Sequence, residues 1–172
     1  MSYPELISTA SIQSRVKELA EQITKDFAGE EVVVVGVLKG SFIFCADLIR
    51  EMKLPVILDF ISVSSYEGTE STGELKVNLD IKTNIEGKNV ILVEDIIDTG
   101  LTISSLVETF KKSSPKSLKV ASLLYKPARL KHEVDIDYLA FEIEDHFVIG
   151  YGLDFNGLYR ELPYVGIYDG EV

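Results

Sequence analysis

The chain has a single cysteine, Cys45, in 172 residues, so no internal disulfide can form and a reducing cytoplasm is its expected home. Long apolar runs are missing too, since none reaches the roughly 20 residues that a membrane-spanning helix needs. The opening Met-Ser-Tyr-Pro-Glu lacks the basic-then-apolar order of a signal peptide. Positive charge is scarce: Lys and Arg number 17 against 28 Asp and Glu, a formal charge of −11. With no basic cluster to neutralise a phosphate array, neither nucleic acid nor an anionic membrane is an expected partner. His132 and His146, the two histidines, show no metal-ligand spacing. An acidic chain can still take a small polyphosphate if a divalent cation mediates. Residues 1–172, with 46% apolar content, are expected to form one domain with a real core.

Ile12, Val16, Leu19, Ala20, Ile23 and Phe27 recur at helical spacing, with Gly29 as a stop. Three nearly continuous apolar runs, 32–38, 90–93 and 118–125, read as strands buried on both faces of a parallel sheet. Lys39-Gly40-Ser41 turns into a helix that runs to about Glu51, and Thr102–Phe110 carries a second helical pattern. Residues 56–64 and 74–79 predict strands, as do the shorter 137–141 and 147–151. Between 66 and 73 the chain is polar and glycine-bounded, as a loop would be. The alternation predicts an α/β fold, a central mostly parallel sheet flanked by helices. The segment from about 145 to 172, rich in Tyr, Gly and Asp, reads as a small irregular cap over the strand ends.

Residues 90–102 carry the most chemistry. An apolar strand is followed by Glu94 and Asp95, then by the turn Asp98-Thr99-Gly100 and a helix. Ligands of open α/β sheets bind at the carboxyl ends of strands, and the helix N-terminus that follows attracts anions. Free N–H groups of 98–102 and the hydroxyls of Thr99 and Thr102 suit a phosphate, and Gly100 permits close approach. Adjacent carboxylates on an extended strand point to opposite faces, so one can meet sugar hydroxyls or the water shell of a magnesium ion. Asp98 is then placed to accept a proton. Plainer roles exist: a solvated strand end for Glu94 and Asp95, and a helix cap for Asp98 or Thr99. Leu38-Lys39-Gly40-Ser41 repeats the strand–turn–helix pattern without a Walker A motif, its plain reading an exposed lysine before a Ser-capped helix. Two anion-competent strand ends suit a sugar with phosphate at both ends. Loop 66–73 fits a lid that excludes water, and Cys45 is expected to pack in the core.

Leu38-Lys39-Gly40, Ser65-Tyr66, Glu94–Thr102, Lys126 and His146–Arg160 occur in the order and approximate spacing of hypoxanthine-guanine phosphoribosyltransferases. From about residue 30 onward the chain resembles that family of type I phosphoribosyltransferases. The resemblance implies their fold and the transfer of a phosphoribosyl group from phosphoribosyl pyrophosphate to a 6-oxopurine, with Mg2+ as cofactor. Carried over, Glu94 and Asp95 approach the ribose, and Asp98, Thr99, Gly100, Leu101 and Thr102 hold the 5′-phosphate. Asp98 is the family's proton-transfer group at purine N7. Lys39, Gly40 and Arg160 resemble the pyrophosphate contacts, with a cis peptide between Leu38 and Lys39, and Ser65 and Tyr66 belong to the lid. Lys126 resembles the donor to the purine 6-oxo group, Phe147 the stacking ring, and Val148 a main-chain contact to the base within the cap. Asp154 resembles a ligand of a second magnesium, beside Glu94 and Asp95. Position 101 departs from the family members that carry Lys there, which leaves the phosphate to backbone N–H groups and hydroxyls. Homodimers or homotetramers are implied.

Lys126 offers only donors, which favours a 6-oxo purine over adenine. Rival readings are a sister transferase for xanthine, adenine, orotate or uracil, a non-catalytic nucleotide-binding domain, and a phosphoribosyl-pyrophosphate sensor that binds RNA or DNA. The charge of −11 counts against the sensor.

Overall fold

The computed structural model describes residues 3–65 and 75–170. Tyr66 and the expected lid 66–73 lie outside them. Helix α1 (Thr9–Asp26) begins where the Ser8 hydroxyl accepts the Ser11 N–H at 3.1 Å. Its buried face is Ile12, Val16, Leu19, Ala20 and Ile23, and Gly29 follows at φ +78°. The periodicity had marked the same residues.

Six strands form the main sheet: β2 (Val32–Leu38), β3 (Val56–Ser65), β4 (Leu75–Leu79), β5 (Asn89–Ile97), β6 (Ser117–Tyr125) and β7 (Tyr138–Glu142). Their spatial order is β4-β3-β2-β5-β6-β7, and every pair except β3–β4 is parallel. Alternate residues of one strand enter two separate cores. Val32, Val34, Ile91 and Val93 pack with α1 and with α2 (Phe42–Glu51), which carries Phe44, Cys45 and Leu48. Val33, Val35, Val90 and Leu92 pack with Ile103, Leu106 and Phe110 of α3 (Leu101–Lys111). Two-sided burial explains why these strands read as unbroken apolar runs. Each such side chain contributes about 1.5–3 kcal/mol by leaving water.

Strand β5 runs to Ile97 because β6 pairs with it as far as Ile97 opposite Tyr125. Glu94 and Asp95 therefore lie inside the strand and not after it. A second, antiparallel sheet of order β1-β9-β8 joins β1 (Glu5–Ile7) to β9 (Val165–Ile167) and β8 (Val148–Ile149). The cap thus recruits the N-terminal strand, which is three residues long and carries no period. The strand expected over 147–151 shrinks to two residues, since Gly150, Tyr151 and Gly152 follow at φ +93°, +50° and +102° and cannot extend it.

Asp59 on β3 ties down the connection that returns the chain to β5. Its Oδ2 accepts the Lys82 and Thr83 N–H groups and the Thr83 hydroxyl, all within 2.9 Å. Burial alone raises this carboxyl, but the bonds from Thr83, Phe60 and Lys82 prevail and hold it below its ordinary value. A depressed carboxyl gives stability that is present above the unfolded value of about 3.9 and is lost as pH falls through the folded one. Asp59→Ala is expected to cost about 1–3 kcal/mol, and Asp59→Asn to flatten part of the acid limb of a thermal-stability profile below about pH 4.

Candidate active site

Strand β2 leads through α2 to β3 on one side of the sheet, whereas β5 leads through α3 to β6 on the other. The carboxyl ends of β2 and β5 are therefore neighbours whose connections diverge, and ligands of open α/β sheets settle at such a point. A cleft of about 310 Å³ opens there. It is lined by Lys39 and Gly40 after β2, by Glu94 to Ile103 from β5 into α3, and by Asp154 and Arg160 from the cap. The structure thus brings together every residue expected at the ribose and its phosphates.

Glu94 is buried, and its Oε1 accepts the Asp95 N–H at 3.1 Å. Burial first, then the Asp95 charge, pushes the Glu94 carboxyl well up. Asp95 is raised as well, again chiefly by burial. The Asp95 carboxylate lies against Gly40, where a Cβ would overlap it. Any side chain at the turn after β2 would force the Asp95 carboxylate out of its place. The Leu38–Lys39 peptide is cis, as the family likeness implied. Ser41 does not cap α2, because its hydroxyl donates instead to the Val37 carbonyl at 2.7 Å.

At the start of α3 the N-cap is Gly100, at φ +83°, which has no side chain to cap with, so Asp98 does not take that plainer role; the Thr99 hydroxyl takes part of it, accepting the Leu101 N–H at 3.4 Å. The positive end of the helix faces the cleft. The loop is braced from behind. Thr99 O accepts the N–H groups of Lys131 and His132, each at 2.9 Å, and the His132 carbonyl occupies the space a Gly100 side chain would need. Leu101 lines the cleft at the first turn.

In the cap, Arg160 pairs with Asp154 at 2.8 Å and donates to the Gly152 carbonyl, while Asp154 Oδ2 accepts the Gly157 N–H at 2.7 Å. Among the described residues no three carboxylates, histidines or cysteines converge on one metal position. Two neighbouring carboxylates, Glu94 buried and Asp95 half-buried at the cleft, nevertheless suit a cation that brings its own water and phosphate ligands, as magnesium does.

The residues expected at a base lie beside the cleft and do not line it. Lys126 is 7% exposed, its N–H donates to Ile97 O at 3.0 Å, and its ammonium pairs with Asp145 at 3.4 Å. Phe147 is 40% exposed and meets the Phe155 edge at 5.7 Å, and Val148 is buried in β8. Ser65 closes β3. Two ionic residues escaped the sequence reading. Arg129, in a 3-10 turn at Pro127–Arg129, donates from Nε to Asp98 Oδ1 at 2.6 Å and pairs with Asp145 at 3.4 Å. Gly152 was missed too: a Cβ there would overlap the Gly40 carbonyl. For Arg129 the only available signal was its place three residues after Lys126, at the end of a third central strand.

A model described as phosphoribosyl transferase domain matches residues 5–156. The chain is 45% identical over 168 residues to a hypoxanthine-guanine phosphoribosyltransferase of Staphylococcus aureus, covering 97% of this chain and 94% of that protein. It is 47% identical over 171 residues to the protein of the same name from Dictyostelium discoideum, covering 96% and 95%. A crystal structure of a hypoxanthine-guanine phosphoribosyltransferase from Bacillus anthracis, with HEPES in its active site, superposes with a TM-score of 0.92 at 53% identity, covering 95% of this chain and 97% of that one.

Proposed function

We propose that this chain, which belongs to the phosphoribosyl transferase family, makes purine nucleotides by moving the 5-phosphoribosyl group of phosphoribosyl pyrophosphate onto hypoxanthine and guanine. The observation that carries the reading is the convergence of Asp98, the N-terminus of α3, and the Lys39-Gly40 turn in one cleft. A bond forms between purine N9 and C1 of the ribose while the bond from C1 to the pyrophosphate oxygen breaks. The N7 proton passes to the Asp98 carboxylate, assistance typically worth about 10²–10⁴-fold. N–H groups and hydroxyls of 99–102 bind the 5′-phosphate, and Glu94 and Asp95 orient the ribose. Lys39, the Gly40 N–H and Arg160 bind the leaving pyrophosphate. Glu94, Asp95 and Asp154 would hold magnesium, which would supply charge neutralisation to the leaving group.

At the base, Lys126 donates to the 6-oxo group, Phe147 stacks on the ring, and the Val148 main chain meets purine C2. Residues 145–172 act as the base-binding cap of a single domain spanning 1–172. Ser65 and Tyr66 belong to the covering lid. No helix of the described residues is long and apolar enough to cross a membrane, and the cytoplasm suits a chain whose lone thiol is buried. A homodimer or homotetramer is the expected assembly.

Mixing the protein with Mg2+, phosphoribosyl pyrophosphate and each base in turn tests the reading by ultraviolet absorbance. Hypoxanthine and guanine are expected to be converted, adenine is not, and EDTA abolishes the reaction. Conversion of xanthine ahead of guanine would reassign the base.

A further inference from the structure

Lys126, Asp145, Arg129 and Asp98 form an unbroken ionic chain. Lys126 Nζ meets Asp145 Oδ1 at 3.4 Å, Arg129 Nη1 meets Asp145 Oδ2 at 3.4 Å, and Arg129 Nε meets Asp98 Oδ1 at 2.6 Å. The chain joins the residue read as the 6-oxo donor to the residue read as the proton acceptor. Those two groups must address neighbouring atoms, the 6-oxo oxygen and N7, on one edge of a purine at once. We propose that Arg129, anchored by Asp145, is a positioning residue that acts through Asp98 and ties its orientation to that of Lys126. The inference rests on the reading of Asp98 as the N7 proton acceptor.

Geometry supports the assignment. The 2.6 Å bond occupies Asp98 Oδ1, and Oδ2 accepts no hydrogen bond among the described residues. One oxygen is thus fixed and the other is left for the substrate. A planar guanidinium that donates from Nε to one carboxylate and from Nη1 to another holds both in one plane, which an ammonium cannot do. Arg129 itself is set by backbone: its N–H donates to Lys126 O at 3.2 Å, so the turn that presents Lys126 also presents Arg129. Asp98 and Arg129 are about half-exposed, so the pair has little weight as a stability element. Its effect is expected in turnover, where a misplacement of about 1 Å can cost up to 10²-fold.

The test is a double-mutant cycle on the intact enzyme with hypoxanthine, phosphoribosyl pyrophosphate and Mg2+. Arg129→Ala is expected to lower kcat about 10–100-fold, to leave the KM for phosphoribosyl pyrophosphate within about twofold, and to keep the wild-type melting temperature. In the Asp98→Asn background the same change is expected to have less than a twofold effect, because the group through which it acts is already gone. Arg129→Lys, which keeps the charge without the fork, recovers only part of the loss. Wild-type kcat in Arg129→Ala overturns the inference, and so does an equal fall in the Asp98→Asn background. If the unaltered protein converts no purine, the functional reading fails and takes this inference with it; the two failures are told apart by the wild-type arm.

Discussion

Asp98→Asn is expected to lower kcat with hypoxanthine by about 10²–10⁴-fold, the usual range for loss of a positioned proton acceptor. The KM for phosphoribosyl pyrophosphate should change little. Its 5′-phosphate is proposed to lie at the backbone of the α3 N-terminus, which begins at the left-handed Gly100 without help from the Asp98 side chain. An amide keeps the size of the carboxylate and can still accept a bond from Arg129 at its oxygen, so the loop is not expected to move. Steady-state kinetics and a binding isotherm for phosphoribosyl pyrophosphate separate the two effects. Undiminished turnover in Asp98→Asn would remove this residue from the reaction.

The second large effect is expected at a residue that has no side chain. Gly152 sits at φ +102°, and a Cβ there would run into the Gly40 carbonyl. Gly152→Ala therefore meets a backbone penalty of about 1–3 kcal/mol and a clash that no side-chain rotation relieves. For a domain of this size each kcal/mol lowers the melting temperature by roughly 2–4 °C. Because the clashing atom belongs to the turn expected to hold pyrophosphate, the KM for phosphoribosyl pyrophosphate should rise at least tenfold among molecules that stay folded. Gly87→Ala is the control: φ is +70° with nothing within 4 Å of the added atom. It should lose stability alone. Equal kinetics in the two variants would disconnect the cap from the turn.

The sequence announces parts of this molecule unequally. Two-sided burial writes itself as Val32–Leu38 and Val90–Val93, so the central strands were readable, although β5 continues four residues past its apolar run to Ile97. The loop proposed to hold phosphate was legible as a strand–turn–helix junction because its glycine, hydroxyls and acid are contiguous, and its residues 98–102 line the cleft. Strand β1 was not: three residues held by pairing with β9 across the whole chain length leave no local trace. The Lys126 environment was equally silent, since its burial depends on the cap folding back and on an acid 19 positions away. Gly152 illustrates the same limit. Its φ is a local property, but the carbonyl it accommodates belongs to a turn more than a hundred residues earlier.

One brace has a wider meaning. The carbonyl of Thr99 takes the two amides that begin the 131–132 segment, and Gly100 rests on the His132 carbonyl. That segment continues directly from the one bearing Lys126 and Arg129. The segments proposed to bind the sugar phosphate and the heterocycle are consequently not interchangeable modules. Grafting residues 126–132 from a relative with another base preference would carry the backing of the phosphate loop along with it. Redesign of base choice in this scaffold is best confined to side chains that leave the backbone of 129–132 where it stands.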